Sequence, residues 1–186
     1  MARRFSRPLG SSTGPGGVHM NRWSERPSEE QRLLNPSFCS LLLWHSAGGH
    51  AEATRRRVGI AFEECFLVLP MVLHREIRES LPSRTTTSLP VWLANNPLAP
   101  STIADRARSL VPFTKEALRF AGSYGLIQFS QTLIHANPDW RRRMASALDN
   151  SSDEVRTCAM HAAFVGKWFA KTGNVETVMS LLGVQP

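Results

Sequence analysis

Residues 66–82 read FLVLPMVLHREIRESLP, a short apolar run that passes directly into alternating basic and acidic side chains. Seven apolar residues flank Pro70. A helix that spans a bilayer needs about 20 consecutive apolar residues, so this run is too short to cross one. We therefore expect the run to pack in a protein core. Charged side chains then emerge at helical spacing, which predicts a surface presented to a partner: His74, Arg75, Glu76, Arg78 and Glu79.

The composition is that of a globular protein. The chain has 186 residues, of which 42% are hydrophobic and 20% charged, and its net charge is +7. This length suits one domain with a substantial core. We expect residues 1–19 to be a disordered basic tail, or a mis-called start with Met20 as the alternative, and residues 20–186 to form one mostly helical domain. The basic charge is compatible with nucleic acid or an acidic protein.

Helix signals recur along the first half of the chain. Asn35 is a good cap and Pro36 suits the first helical position, while Gly48 and Gly49 predict the end of that helix. Residues 60–81 predict a helix pair or a kinked helix, because Pro70 removes an internal hydrogen bond. Residues 89–94 predict a short helix.

The middle of the chain predicts two helices and a hairpin. Ser101 or Thr102 caps a helix that Pro112 ends, and Thr114 caps a second helix over residues 115–121. Residues 126–129 and 132–135 alternate with period two, which indicates a β-hairpin. The order helix, turn, helix, hairpin is that of winged-helix domains. The predicted fold is mainly α (α+β), a compact multi-helix domain with one short hairpin and a winged-helix-like arrangement as one possibility.

The last helices have the clearest signals. Ser151 and Glu154 form a capping-box pattern, and Gly173 marks the end of the helix that follows. Asn174 then caps a short helix over residues 175–182. The apolar positions of the longer helix form one stripe, namely Val155, Cys158, Ala162, Val165 and Phe169.

No catalytic pattern is evident in the sequence. It has no G-x-x-x-x-G-K-[ST] loop, no G-x-S-x-G and no spacing typical of a zinc site. The three cysteines lie in apolar contexts, which favours buried thiols in a reducing cytoplasm. We expect no catalytic residue, no cofactor and no metal. A weaker hypothesis is a small enzyme that uses Cys39 or His74.

Four blocks of sequence, taken together, resemble the middle component of prokaryotic three-component ABC systems. They cover most of residues 34–186 in the expected order. The tail and most of residues 130–155 fall outside the resemblance. The blocks are NPSFCSLLL (35–43), FLVLPMVLHREIRESLP (66–82), DRARSLVPFTKEALRFAGSYGLI (105–127) and GKWFAKTGNVETVMSLLGVQP (166–186).

The resemblance implies a non-enzymatic adaptor in the cytoplasm. Such systems pair the middle component with an SMC- or Rad50-like ABC ATPase and with an effector, often a nuclease, in prokaryotic conflict and mainly in defence against phage. DNA would be sensed indirectly through the complex, and no membrane is involved. Within the matching blocks we expect partner contacts at His74, Arg75, Arg78, Glu79, Arg108, Trp168 and Phe169. The alternative for the first four is a solvated helix face whose charges pair with one another.

A different hypothesis is a winged-helix protein that binds nucleic acid. Lys115 and Arg119 would then face a groove from the second helix, and Arg141, Arg142 and Arg143 would contact phosphates. Leu118 and Phe120 count against it, because they leave that helix few polar faces.

Overall fold

The computed structural model describes residues 34–54 and 57–184. The predicted tail of residues 1–19 lies outside these ranges. Among the described residues no helix is both long and apolar enough to span a membrane. The expected mainly α fold with a short β element is confirmed. The helices are α1 (Pro36–Ala53), α2 (Cys65–Leu73), α3 (Arg75–Ser80), α4 (Leu89–Asn95), α5 (Ala99–Ser123), α6 (Arg141–Asp149), α7 (Asp153–Thr172) and α8 (Val175–Leu181), and the strands are β1 (Ile60–Ala61), β2 (Ile127–Ser130) and β3 (Leu133–Ala136).

Helices α1 and α7 cross in backbone contact at the centre of the molecule. The Asn35 side chain caps α1 as predicted, accepting a hydrogen bond from the Ser37 N–H at 2.9 Å. The predicted end at Gly48 is wrong, because α1 continues to Ala53. A Cβ on Gly49 would stand 2.1 Å from the Ala163 carbonyl oxygen, and one on Gly166 would stand 1.9 Å from the Ser46 carbonyl oxygen. These glycines therefore permit a close helix crossing and do not end the helix.

Helix α2 contains the apolar run of residues 66–73. The run is buried as expected, with Leu67, Leu69 and Met71 fully inaccessible to solvent. The break does not occur at Pro70, which lies inside the helix, but at His74, whose backbone is extended. Residues on both sides of the proline are buried, so packing holds the helix together despite one missing hydrogen bond. Helix α3 begins immediately after this break.

Helix α5 is one continuous helix of 25 residues, and the two predicted helices with a turn at Pro112 are wrong. Pro112 lies inside it, and Thr114, predicted as a cap, is buried in the same helix. Packing explains the continuity, because the buried positions recur at helical spacing on both sides of the proline. The winged-helix interpretation depended on that turn and loses its support. The buried stripe comprises Ile103, Ala107, Leu110, Ala117, Leu118 and Ala121.

The predicted hairpin is confirmed, and an unpredicted third strand joins it. Strand β3 lies between β1 and β2 in an antiparallel sheet. Ile134 of β3 is paired with Phe129 of β2 and with Ile60 of β1. Gln131, the first residue of the turn, has a φ of 54°. Strand β2 packs on α5, whereas β1 and β3 pack mainly on α1, and Ile60 and Ile134 are fully buried.

A buried polar pair connects α1 to the strand β1. The Glu64 carboxylate accepts a hydrogen bond from the Ala61 N–H at 3.1 Å and lies 3.9 Å from His50 Nε2. His50 Nδ1 in turn lies 3.0 Å from the Val58 carbonyl oxygen. Burial raises the pKa of Glu64 to about 7, and burial lowers the pKa of His50. The carboxyl group is therefore partly protonated at neutral pH.

Helix α7 forms the predicted apolar stripe but begins differently. Cys158, Ala162, Val165 and Phe169 are all buried. The cap is Ser152 and not Ser151, so the predicted capping box is wrong. Glu154 does not turn back to the cap, because it forms an ion pair with Arg78. Gly173 ends the helix and Asn174 caps α8, both as predicted.

Candidate partner-binding surfaces

The corner between α2 and α3 presents an exposed charged ridge. His74 caps α3, and its Nδ1 accepts a hydrogen bond from the Ile77 N–H at 3.3 Å. One turn further, Arg75 Nε donates to Glu79 Oε1 at 2.7 Å, and both side chains are largely exposed. Three of the four predicted partner contacts in this segment are therefore accessible. Exposed pairs of this kind contribute little to stability, so the fold does not depend on the Arg75–Glu79 pair.

Arg78, the fourth candidate in the segment, points inward. Only 4% of the residue is exposed. Its Nη1 donates to the Val72 carbonyl oxygen at 2.7 Å, and its Nη2 donates to Glu154 Oε1 at 2.5 Å. Arg78 therefore fastens α3 to the end of α2 and to the first turn of α7. It supports the ridge from beneath, and its side chain is not on the accessible surface.

Trp168 and Phe169 lie in the core of the protein. Trp168 Nε1 donates to the Thr87 carbonyl oxygen at 2.7 Å, and its ring meets that of Trp92 edge-on at 5.5 Å. Phe169 is completely buried. The two aromatic residues hold the loop before α4 against α7. Partner contact through these side chains stays a prediction that requires the core to open.

The other charged candidates lie on separate exposed surfaces. Arg108 donates to Asp105 at 2.6 Å on the outside of α5. Arg141, Arg142 and Arg143 begin α6, and the Arg143 guanidinium lies 5.0 Å from the centre of the Trp140 ring. All three arginines are exposed. They form a basic patch at the start of α6, apart from the α2–α3 ridge.

An open cavity of about 680 Å³ lies between α1, α6 and the hairpin. His45 and His135 line it, together with apolar residues of α1 and α6. Burial lowers the pKa of the His45 imidazole while Glu52 raises it, and its Nε2 has no hydrogen-bond partner among the described residues. At the rim, Glu52 Oε2 lies 2.9 Å from Lys167 Nζ, and Glu52 Oε1 lies 4.0 Å from Arg141 Nη2. The described residues around the cavity include no Ser, Thr or Cys that could act as a nucleophile.

The cysteines are buried thiols, as their sequence contexts predicted. Cys39, Cys65 and Cys158 are all free and buried. Burial raises the pKa of Cys39 to about 12, with Glu116 adding to the effect. Cys39 is therefore a protonated thiol at neutral pH and lacks the nucleophilic thiolate that catalysis through Cys39 would require. Over the described ranges, no three His, Cys, Asp or Glu side chains are grouped in a way that could hold a metal ion.

A second groove, of about 540 Å³, opens between α5 and the sheet. Phe62 and Phe129 line it, and 38% and 53% of these residues are exposed. Lys115 and Arg119, both predicted as nucleic-acid contacts, lie on the α5 side. Sequence reasoning missed the two phenylalanines. Phe62 directly follows β1 and Phe129 lies within β2, and the sequence relates the two positions only when both strands are known to pair with β3.

Comparison with known families gives one match. A family model described as "ABC-three component (ABC-3C) system Middle Component 3" matches residues 23–186. Neither the curated proteins nor the solved structures include a significant match to the chain.

Proposed function

Because the chain belongs to the Middle Component 3 family of ABC-three component systems, we propose that it is a non-enzymatic adaptor. It links an SMC- or Rad50-like ABC ATPase to an effector protein in the cytoplasm. The system acts in prokaryotic conflict, mainly in defence against phage. The observation that carries this proposal is the family match, which extends over all the described residues.

The architecture supports a role in transmitting a conformational state. Helices α1 and α7 touch through their backbones at Gly49 and Gly166, so neither can slide without a steric clash. Arg78 then joins α3 to this rigid pair through Glu154. A partner that moves the α2–α3 ridge would therefore act on α7 directly. This mechanical connection suits an adaptor that passes the state of an ATPase to an effector.

The test is capture of both partners by the purified chain. A tagged chain is co-expressed with the ATPase and with the effector of its own system, first singly and then together. We expect it to retain each partner on an affinity column. The variant R75E/E79R keeps the net charge and the ion pair on the ridge but exchanges the positions of its positive and negative charges. If this variant loses one partner, that partner contacts the ridge. A wild-type chain that retains neither partner would refute the adaptor proposal.

Direct binding of nucleic acid is the second candidate. It is supported by the exposed arginines at the start of α6 and by Lys115 and Arg119 on α5. The two groups lie apart, however, with Arg141 at the cavity and Lys115 at the groove. A measured affinity for duplex DNA that falls steeply with salt concentration would favour this candidate over the adaptor.

A further inference from the structure

We propose that the groove between α5 and the sheet docks an acidic segment of a partner protein, with an apolar side chain between its carboxylates. This inference rests on the proposed adaptor function and identifies one of its contact sites. The groove is lined by Phe62, Phe129, Lys115, Leu118, Arg119 and Gly122, with Ser123 at its end.

The apolar part of the groove consists of two exposed aromatic rings over a buried floor. Phe129 is about half exposed although it points toward α5, and its ring lies against Gly122, where a Cβ would stand 3.1 Å from Phe129 Cε2. Phe62 is fixed by an edge-on contact with Phe66 at 5.3 Å. Leu118 beneath them is buried. Rings that are held in place but left open to solvent are typical of a surface that a partner covers.

The charged part of the groove consists of two cations that form no ion pair within the described part of the chain. Lys115 and Arg119 lie one turn apart on the same side of α5, and neither has an ion pair with any described residue. Arg84, Arg142 and Arg143 are also exposed and without an ion pair to a described residue, so what distinguishes Lys115 and Arg119 is their position beside Phe62 and Phe129. The unpaired cations next to apolar rings are complementary to carboxylates that flank an apolar side chain.

The distribution of charge favours a peptide over a nucleic acid. Successive residues of a strand point to opposite faces of a sheet, and Phe129 lines the groove while Gln128 and His135 line the cavity. Arg141 lines that cavity on the other face. Arg141 and the pair of Lys115 and Arg119 therefore lie on different surfaces. Two cations alone give only weak, salt-sensitive binding to phosphates, whereas they suffice to orient a short acidic segment.

The experiment compares three variants of the full chain for binding to the ATPase and to the effector of its system. K115E/R119E reverses the groove charges, and F129A removes an exposed ring. The matched control is R84E/R142E, which makes the same change in net charge at exposed positions away from the groove. Circular dichroism confirms that each variant is folded. Binding is measured by interferometry at physiological salt.

We expect K115E/R119E to weaken binding of one partner by about tenfold or more, and F129A to weaken it several-fold. The control should stay within about twofold of wild type. If the wild-type chain binds a partner and both groove variants bind it equally well, the docking site is refuted while the adaptor function stands. If the wild-type chain binds neither partner, both proposals fail. A short DNA duplex and a single-stranded oligonucleotide are tested in parallel, and DNA binding that K115E/R119E abolishes would overturn the assignment to a protein segment.

Discussion

Two adjacent glycines in α1 offer a sharp test of the helix crossing. Gly48 and Gly49 are consecutive residues of the same helix, yet their surroundings differ. A Cβ on Gly48 would meet its nearest atom, Ala136 Cβ, at 3.9 Å, which is ordinary contact. A Cβ on Gly49 would meet the Ala163 carbonyl oxygen at 2.1 Å and its carbon at 2.9 Å. We expect Gly48→Ala to be tolerated and Gly49→Ala to be strongly destabilising.

The magnitude follows from the geometry of the obstacle. A carbon–oxygen contact is comfortable at roughly 3.3 Å or more, so α1 and α7 must separate by about 1 Å to admit the new methyl group. Overpacking of this kind costs about 1–3 kcal/mol, and the upper end applies because the obstacle is backbone that cannot change rotamer. Replacing glycine by alanine inside a helix gains about 0.8–1 kcal/mol, and this gain is common to both variants. Gly49→Ala should therefore be less stable than Gly48→Ala by about 3 kcal/mol.

The assay is urea unfolding followed by circular dichroism at the helical band, with wild type and both variants measured side by side. Gly48→Ala is expected to shift the midpoint to slightly higher urea, and Gly49→Ala to much lower urea. Equal midpoints for the two variants would show that α1 and α7 are not in backbone contact. Such a result would remove the rigid pair on which the proposed transmission depends.

Three further predictions concern the buried groups. Burial raises the pKa of the Glu64 carboxyl from 4.5 to about 7, so this group stabilises the wild-type protein at low pH and that stabilisation is lost as the pH rises through 7. Glutamine does not titrate, so Glu64→Gln should gain up to about 3 kcal/mol of stability relative to wild type between pH 5 and pH 8. The folded pKa of His50 is lowered, so both proteins lose stability as the pH falls below 6.5, and this loss cancels in the comparison. A stability difference between Glu64→Gln and wild type that does not change with pH would contradict the burial of Glu64. Glu154→Ala should lower the free energy of unfolding by about 1–3 kcal/mol, because Arg78 then remains buried without its carboxylate partner. The control Glu76→Ala, on the exposed side of α3, should change it by no more than about 0.5 kcal/mol. Equal losses in urea unfolding would rule out a buried Arg78. Cys39 should be alkylated by iodoacetamide only as fast as the protein opens, because its thiol is buried and its pKa is about 12; rapid labelling of native protein, followed by mass spectrometry, would place Cys39 at the surface.

The sequence predicted the start of a helix correctly where the cap side chain hydrogen-bonds to a nearby backbone N–H. Asn35 and Asn174 each accept a hydrogen bond from a backbone N–H two or three residues later, so no distant contact is needed. The two prolines were misjudged for the opposite reason. Pro70 and Pro112 each remove one hydrogen bond, but buried side chains before and after them hold the helix in one piece. Tertiary packing overrides the local preference in both cases.

The candidate surfaces were only partly predictable, because exposure depends on distant elements. Helical spacing placed Arg78 near His74, but the contact with Glu154 of α7 turns the guanidinium inward. The same spacing could not reveal that Trp168 fills the space beside Trp92. The groove between α5 and the sheet was harder to predict, because β1 has only two residues and pairs with a strand far along the chain. A strand so short has no alternating pattern of its own to read.

As an adaptor, the chain should hold the ATPase and the effector in one complex that does not form without it. Native mass spectrometry of the reconstituted system tests this expectation most directly, with the ATPase and the effector mixed in the presence and in the absence of the chain. We predict a complex that contains all three proteins when the chain is present, and separate ATPase and effector when it is omitted. An ATPase–effector complex that forms equally well without the chain would show that the chain is not the link between them.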